Sequence, residues 1–203
     1  MRLEEACSTL GLHLDGRQVG LLLRYRDLLV AWNRKVDLVA PAPPDELLRA
    51  HVLDSLLLLV MSDPPAGALV ADVGTGAGLP GLVWAVARPD LRLVLVEPRR
   101  KRAAFVERAA SELGIPNAEV VAERAEELCR DPRWAGRFDM VVARAVGPPQ
   151  HVLQAAGGLL KRGGRLVVPV GPGRPVPEGF HEVVREVPWE AGKIRRVAIG
   201  LVA

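Results

Sequence analysis

The stretch Val70-Ala71-Asp72-Val73-Gly74-Thr75-Gly76-Ala77-Gly78-Leu79-Pro80-Gly81 constrains the fold of this chain more than any other. It begins apolar, as a buried strand does, and then turns through four glycines within residues 74–81. It continues as Leu82-Val83-Trp84-Ala85-Val86-Ala87, which suits a helix. Glycine takes a positive φ at little cost and lets a ligand approach the backbone. The first N–H groups of a helix have no intrahelical partner and can hold an anionic or polar group. Strand, glycine turn and helix N-terminus together form a cradle for a nucleotide-like ligand.

The sequence on either side says which kind of sheet carries the cradle. From residue 68 onward, short apolar strands alternate with helices. Strands are expected over 68–73, 91–96, 119–122, 138–143 and 165–170, and helices over 79–88, 101–114, 125–130 and 149–160. Gly163-Gly164 reads as a tight turn into the fifth strand. Such alternation produces parallel strands joined by crossover helices. Two strand-like segments follow, 181–187 and 194–202, and their connection is too short for a helix, so they should pair antiparallel. Five βα steps and a terminal hairpin differ from the double repeat of NAD-binding domains. The pattern predicts an α/β, Rossmann-like class I S-adenosylmethionine-dependent methyltransferase fold with a mostly parallel seven-stranded sheet.

Ahead of it, residues 1–66 read as a helical extension packed on a 67–203 methyltransferase domain, the two forming one compact unit. A short helix within 1–14 breaks at Gly11, and Asp15 is placed to cap a helix over 17–35 with Val19, Leu22, Leu29 and Trp32 on one face. Pro41, Pro43 and Pro44 exclude helix there. A third helix follows over 45–60 and carries His51, Asp54 and Ser55.

Gly76-Ala77-Gly78-Leu79-Pro80-Gly81 fits the dinucleotide pattern GxGxxG, a weak signal alone. Asp72, just ahead of Gly74, would repel a pyrophosphate but favours the ammonium and sulfonium of S-adenosylmethionine. Glu97 ends the second strand and can accept hydrogen bonds from ribose hydroxyls of either ligand class. Glu126 could meet the adenine edge, or equally be a first-turn carboxylate favoured by the helix dipole. Arg99-Arg100-Lys101-Arg102 reads mainly as a solvated helix start.

Aromatic residues make up 4% of the 203, which argues against an RNA-binding surface of stacked aromatics. The net charge of +3 permits nucleic-acid binding without establishing it. Cys7 and Cys129 lie far apart, so neither a disulfide framework nor a zinc site is implied, and no metal is expected. No apolar run spans a bilayer, so the expectation is a cytoplasmic protein without membrane contact, and a monomer.

The assembled residues resemble the RsmG (GidB) family of 16S rRNA guanine-N7 methyltransferases over nearly the whole length. The resemblance rests on Tyr25 to Asn33, on His51-Val-Leu-Asp54-Ser55-Leu56, and on Asp72 through Gly81. It extends to Glu97 with Lys101-Arg102 and Phe105-Val106, to Arg124-Ala125-Glu126, and to Phe138 through Arg144-Ala145-Val146. The glycine motif is common to many methyltransferases, whereas the His-x-x-Asp-Ser helix, the Leu-Pro-Gly close and the Ala-Arg-Ala run are specific in combination. The resemblance implies S-adenosyl-L-methionine contacts at Gly74, Gly76, Leu79, Glu97, Pro98, Arg99, Ala125, Glu126 and Arg144. It implies 16S ribosomal RNA or the small ribosomal subunit as partner. The chain departs from the family at Asp37-Leu38-Val39, where Asn-Leu-Thr is usual, at Ala50 in place of Arg, at Val170 in place of Lys, and at Arg195-Arg196 in place of Arg-His.

Guanine N7 carries a free lone pair at neutral pH, so methyl transfer to it needs positioning but no general base, and no catalytic residue is singled out. Arg34, Lys35, His51, Arg195 and Arg196 are the candidates on the RNA side. His51 and Asp54, three residues apart on one helix, can also pair with each other and tie the N-terminal helices to the domain. Other readings stay open: a cofactor-binding RNA or ribosome-assembly protein without turnover, a small-molecule methyltransferase of the same fold, and an NAD-dependent oxidoreductase.

Overall fold

The computed structural model describes residues 3–202; Met1, Arg2 and Ala203, at the outer ends of the two expected spans, lie outside the described residues. One sheet holds seven strands: β1 (Leu69–Val73), β2 (Arg92–Val96), β3 (Ala118–Val121), β4 (Phe138–Val142), β5 (Leu160–Val170), β6 (Phe180–Glu186) and β7 (Ile194–Leu201). Their order is β3-β2-β1-β4-β5-β7-β6. Neighbours from β3 to β5 run parallel, and β7 runs antiparallel to both β5 and β6. The expected terminal hairpin is therefore present, with β7 set between β5 and β6. The strand order reverses between β1 and β4, and beyond the carboxyl ends of those two strands lies the crevice where open α/β sheets take ligands.

Alternation along the strands sends side chains to two separate cores. Val70, Leu93, Leu95, Met140 and Val142 face one side, where they meet the N-terminal helices, α5 (Gly81–Ala87) and α6 (Arg100–Leu113). Ala71, Val73, Val94, Val96, Val141 and Leu166 face the other, under α7 (Ala125–Leu128) and α8 (Pro149–Ala156). Helix α6 shows why the sequence chooses helix here. Its buried residues Ala103, Val106, Ala110 and Leu113 recur every three to four positions, and it stops at Gly114, whose φ is +62°.

The N-terminal helices share the first core. They are α1 (Leu3–Thr9), α2 (Gly16–Asn33), α3 (Pro44–Leu47) and α4 (Asp54–Ser62). Asp15 caps α2 as expected, in a reciprocal capping box with Gln18. Three side chains from or against these helices grip the glycine unit. Tyr25 Oη donates to the Ala77 carbonyl (2.6 Å), Gln18 Nε2 to the Val86 carbonyl (2.8 Å), and Trp84 Nε1 to the Ser55 carbonyl (2.8 Å).

Two local features differ from expectation. The third helix is interrupted by a π-helical segment, Leu48–Leu53, centred on His51. A π turn holds one extra residue per turn and rotates everything after it. The sequence hides this because Leu56 to Leu59 are all buried, which leaves no single apolar face to register. Gly163-Gly164 is not a turn ahead of β5 but lies inside it. The pairing of β4 with β5 jumps from Phe138↔Leu160 to Met140↔Arg165, and Gly163 (φ +75°) sends its N–H to the Val202 carbonyl at 2.8 Å. The glycines make a bulge that β7's continuation pairs with.

Candidate functional site

The glycine turn is held from below by Asp72. Its Oδ2 accepts from Thr75 Oγ1 (2.6 Å) and from the Gly81 N–H (2.8 Å), and the residue is completely buried. Asp72 therefore organises the turn from beneath. Its Oδ1 has no hydrogen-bond partner among the described residues, and burial raises its pKa to about 6. A Cβ on Gly81 would fall 2.1 Å from Leu95 and 2.8 Å from this carboxylate, so only glycine fits there.

Gly74, Gly76 and Gly78 all have positive φ. Val146 lies over Gly74, 2.6 Å from where a Cβ would stand. That valine, 48% exposed, is aimed by the preceding Ala145, a non-glycine residue at φ +59°. Glu97, 4% exposed, bridges the end of β2 to the turn by accepting from the Gly76 N–H (3.0 Å) and the Arg99 N–H (2.9 Å). Each of its oxygens keeps lone-pair capacity for a further donor.

The other expected cofactor residues fall unevenly. Pro98, Arg99 and Glu126 are exposed, and Ala125 is buried at the start of α7. Leu79 is in the core, 3% exposed, and its N–H is bonded to the Thr75 carbonyl, so neither its side chain nor its donor faces a ligand. The glycine turn and its flanks thus offer a cradle that a Cβ would fill, a buried carboxylate beneath it and a second at its rim. This donor set suits a nucleoside carrying positive charge.

Beside the turn, the expected His51–Asp54 pair does not form. Asp54 instead accepts from Arg144 Nη1 (3.3 Å) and from Arg195 Nη2, closing an Arg–Asp–Arg bridge between α4, the end of β4 and β7. Two guanidinium groups outbid one imidazole because they bring full charge and a fixed fork of donors. Arg144 is 17% exposed, and Asp72 and Tyr25 act on it electrostatically as well. Among the described residues His51 Nδ1 is left without a hydrogen-bond partner, while Ser55 Oγ donates to the His51 carbonyl (2.6 Å).

Burial and the nearby Arg144 charge lower the His51 pKa from its ordinary 6.5 to about 4. The folded protein thus keeps His51 neutral where the unfolded chain would take a proton, so this group's contribution is present above pH 6.5 and is lost as pH falls toward 4. Chemical unfolding of wild type and His51→Gln at pH 7 and pH 4.5 should show wild type losing more stability on acidification than the variant. Equal losses would mean that His51 titrates normally.

Two of the candidates on the RNA side are held within the protein. Arg195 is committed to Asp54, and Arg196 pairs with Glu182 and donates to the Gly171 and Arg174 carbonyls (3.2 and 2.9 Å). Arg102 donates to the Asp37 carbonyl (2.6 Å) and Arg165 to the Asp63 carbonyl (2.7 Å). Arg34, Lys35, Arg99, Arg100 and Lys101 remain exposed. The 37–40 loop that Arg102 grips is shaped by Asn33, which bonds the main chain of Leu38 and Val39 on both sides.

The Asp54 bridge, the Tyr25 anchor and Val146 were not read as such from sequence. Only the isolated arginine after β4 and the lone tyrosine gave any sign of them. Among the described residues no helix is long and apolar enough to cross a membrane.

Residues 18–172 match the family described as rRNA small subunit methyltransferase G. A ribosomal RNA small subunit methyltransferase G of Nitrosospira multiformis is 41% identical over 177 residues, covering 84% of this chain and 79% of the relative. One from Sorangium cellulosum is 36% identical over 200 residues, 98% of this chain and 81% of the relative. Among solved structures, TrmN from Thermus thermophilus superposes with a TM-score of 0.55 at 25% identity, over 73% of this chain and 48% of that one.

Proposed function

We infer the reaction from one premise: the chain belongs to the GidB family, the rRNA small subunit methyltransferases G. It is an S-adenosyl-L-methionine-dependent rRNA methyltransferase. The finer reading is that it methylates N7 of a guanine in a loop of 16S rRNA, in the cytoplasm, as a monomer. N7 sits in the deep major groove of A-form RNA, out of side-chain reach, so the target base must lie in a loop or be splayed from its stack.

When bound, S-adenosyl-L-methionine supplies an electrophilic methyl group on a sulfonium. The protein's part is to bind, orient and exclude water. In this reading the backbone of Gly74 and Gly76 receives the cofactor closely, Glu97 accepts from its ribose hydroxyls, Pro98 and Arg99 flank it, and Ala125 and Glu126 meet its adenine. Asp72 contributes negative potential from beneath the turn, and Arg144, held by Asp54, fixes the loop that carries Val146. Arg34, Lys35 and Arg99 to Lys101 take phosphates, and residues 1–66 act as one unit with 67–203. No residue is asked to remove a proton, because N7 already presents a lone pair. The observation that carries this reading is the buried Glu97 carboxylate closing the glycine turn at Gly76, beside a strand order that reverses at β1 and β4.

Small-subunit rRNA from cells lacking the protein, incubated with the enzyme and labelled cofactor, should gain N7-methylguanosine, read by chain scission at the modified base. Label entering RNA at any other atom, or no label in any rRNA form, would overturn the N7 assignment.

A further inference from the structure

We propose that the cleft between the β4–α8 loop and the turn after β5 holds the target purine, and that Arg174 makes this cleft select guanine over adenine. The proposal rests on the N7 reading above and adds the base-binding site to it. The cleft has a volume of about 480 Å³ and begins at Gly147, one residue beyond the Val146 that overhangs Gly74. The loop that overhangs the glycine turn therefore continues as one wall of the cleft.

Pro148, Pro149 and Gln150 wall it on one side, and Val170, Arg174 and Pro175 on the other. Proline rings have a fixed φ and no N–H, so these walls are stiff and offer flat apolar faces with few competing donors. A preformed slot of this kind takes a planar heterocycle without paying to order itself. The far wall is fastened from outside. The Arg174 N–H bonds the Gly171 carbonyl (3.2 Å), and Arg196 holds the carbonyls of Gly171 and Arg174. With its main chain fixed, the exposed Arg174 side chain makes no ion pair or hydrogen bond of its own among the described residues. Its charge is thus available to whatever enters.

The chemistry of the guanidinium decides between purines. It offers donors only. Guanine presents the O6 acceptor where adenine presents the N6 amino donor, so Arg174 attracts one base and opposes the other. It must reach O6 and not N7, because a hydrogen bond to N7 would occupy the attacking lone pair. The Gln150 amide carries both a donor and an acceptor, and by turning over it can match the Watson–Crick edge of either base. Gln150 therefore adds affinity without selection.

The test titrates wild type, Arg174→Ala and Gln150→Ala, each with S-adenosylhomocysteine present, with guanosine, inosine and adenosine 5′-monophosphates. Binding is followed by ligand-observed NMR, and thermal melting checks the fold of each variant. Wild type should bind the guanosine and inosine nucleotides, which share O6, about tenfold or more tightly than the adenosine nucleotide. Arg174→Ala should lose that preference, and Gln150→Ala should weaken all three while keeping their order. An equal loss for all three nucleotides in Arg174→Ala would make Arg174 a phosphate contact and overturn its selective role. No nucleotide binding, or binding that Gln150→Ala leaves unaltered, would overturn the cleft itself. These outcomes do not depend on methyl transfer. A protein that selects guanine nucleotides yet leaves no N7 mark on rRNA would refute the N7 reading and leave the cleft standing.

Discussion

Asp54→Ala should destabilise the fold by about 3–5 kcal/mol, measured as a fall in the chemical-denaturation midpoint. Asp54 is 8% exposed and accepts from two arginines, one at the end of β4 and one on β7. Removing it leaves two cations facing each other across a partly dry space, with no carboxylate between them. The loss then comes less from the bonds broken than from the charges stranded. A second substitution separates the two. Arg195→Met in the Asp54→Ala background removes one stranded cation and should recover part of the stability, a coupling that independent sites would not show. A loss below about 1 kcal/mol in Asp54→Ala would mean that water reaches and solvates both arginines.

The second large effect is on the cofactor. Glu97→Ala should weaken S-adenosyl-L-methionine binding about 100-fold, measured by calorimetry. Hydrogen bonds to a charged acceptor contribute about 1.5–3 kcal/mol each, and the proposed role gives Glu97 two of them to ribose. The same substitution releases the Gly76 and Arg99 N–H groups, so the turn also loses its tie to β2. Glu97→Gln, which keeps the size and one acceptor oxygen, should fall between. If Glu97→Ala binds the cofactor within about threefold of wild type, the ribose contact is not there.

What the sequence reveals and what it hides divide along a physical line. The sheet was legible because each strand states its own burial. Val70 and Ala71, or Val94 and Leu95, are apolar on both faces, as a strand covered by helices on both sides must be. The glycine turn was legible because positive φ leaves glycine as its mark. The same rule makes Ala145 invisible, since an alanine at φ +59° carries no compositional sign. The bridge at Asp54 could not be read because its partners lie 90 and 141 positions away, and no local period encodes a pair that distant. His51 and Asp54 were paired in the sequence because they were near in number, and the stronger donors arrived from elsewhere in the chain. Position 170 drew notice as a lost lysine. The cation on that wall of the cleft is Arg174, in the turn that follows.

The placement of β7 bears on how the molecule comes into being. Synthesis delivers Asp54 141 positions ahead of Arg195, and the strand that carries Arg195 must slip between β5 and an edge strand already made. Until it does, β5 has one naked margin and Arg144 shares its carboxylate with no one. Helices and the early parallel strands can assemble as they emerge, but the seam at β7 waits until that strand has been made. The enzyme's cradle is written ahead of the strand that latches it, so a nascent chain stopped short of β7 would hold the motif without the finished site.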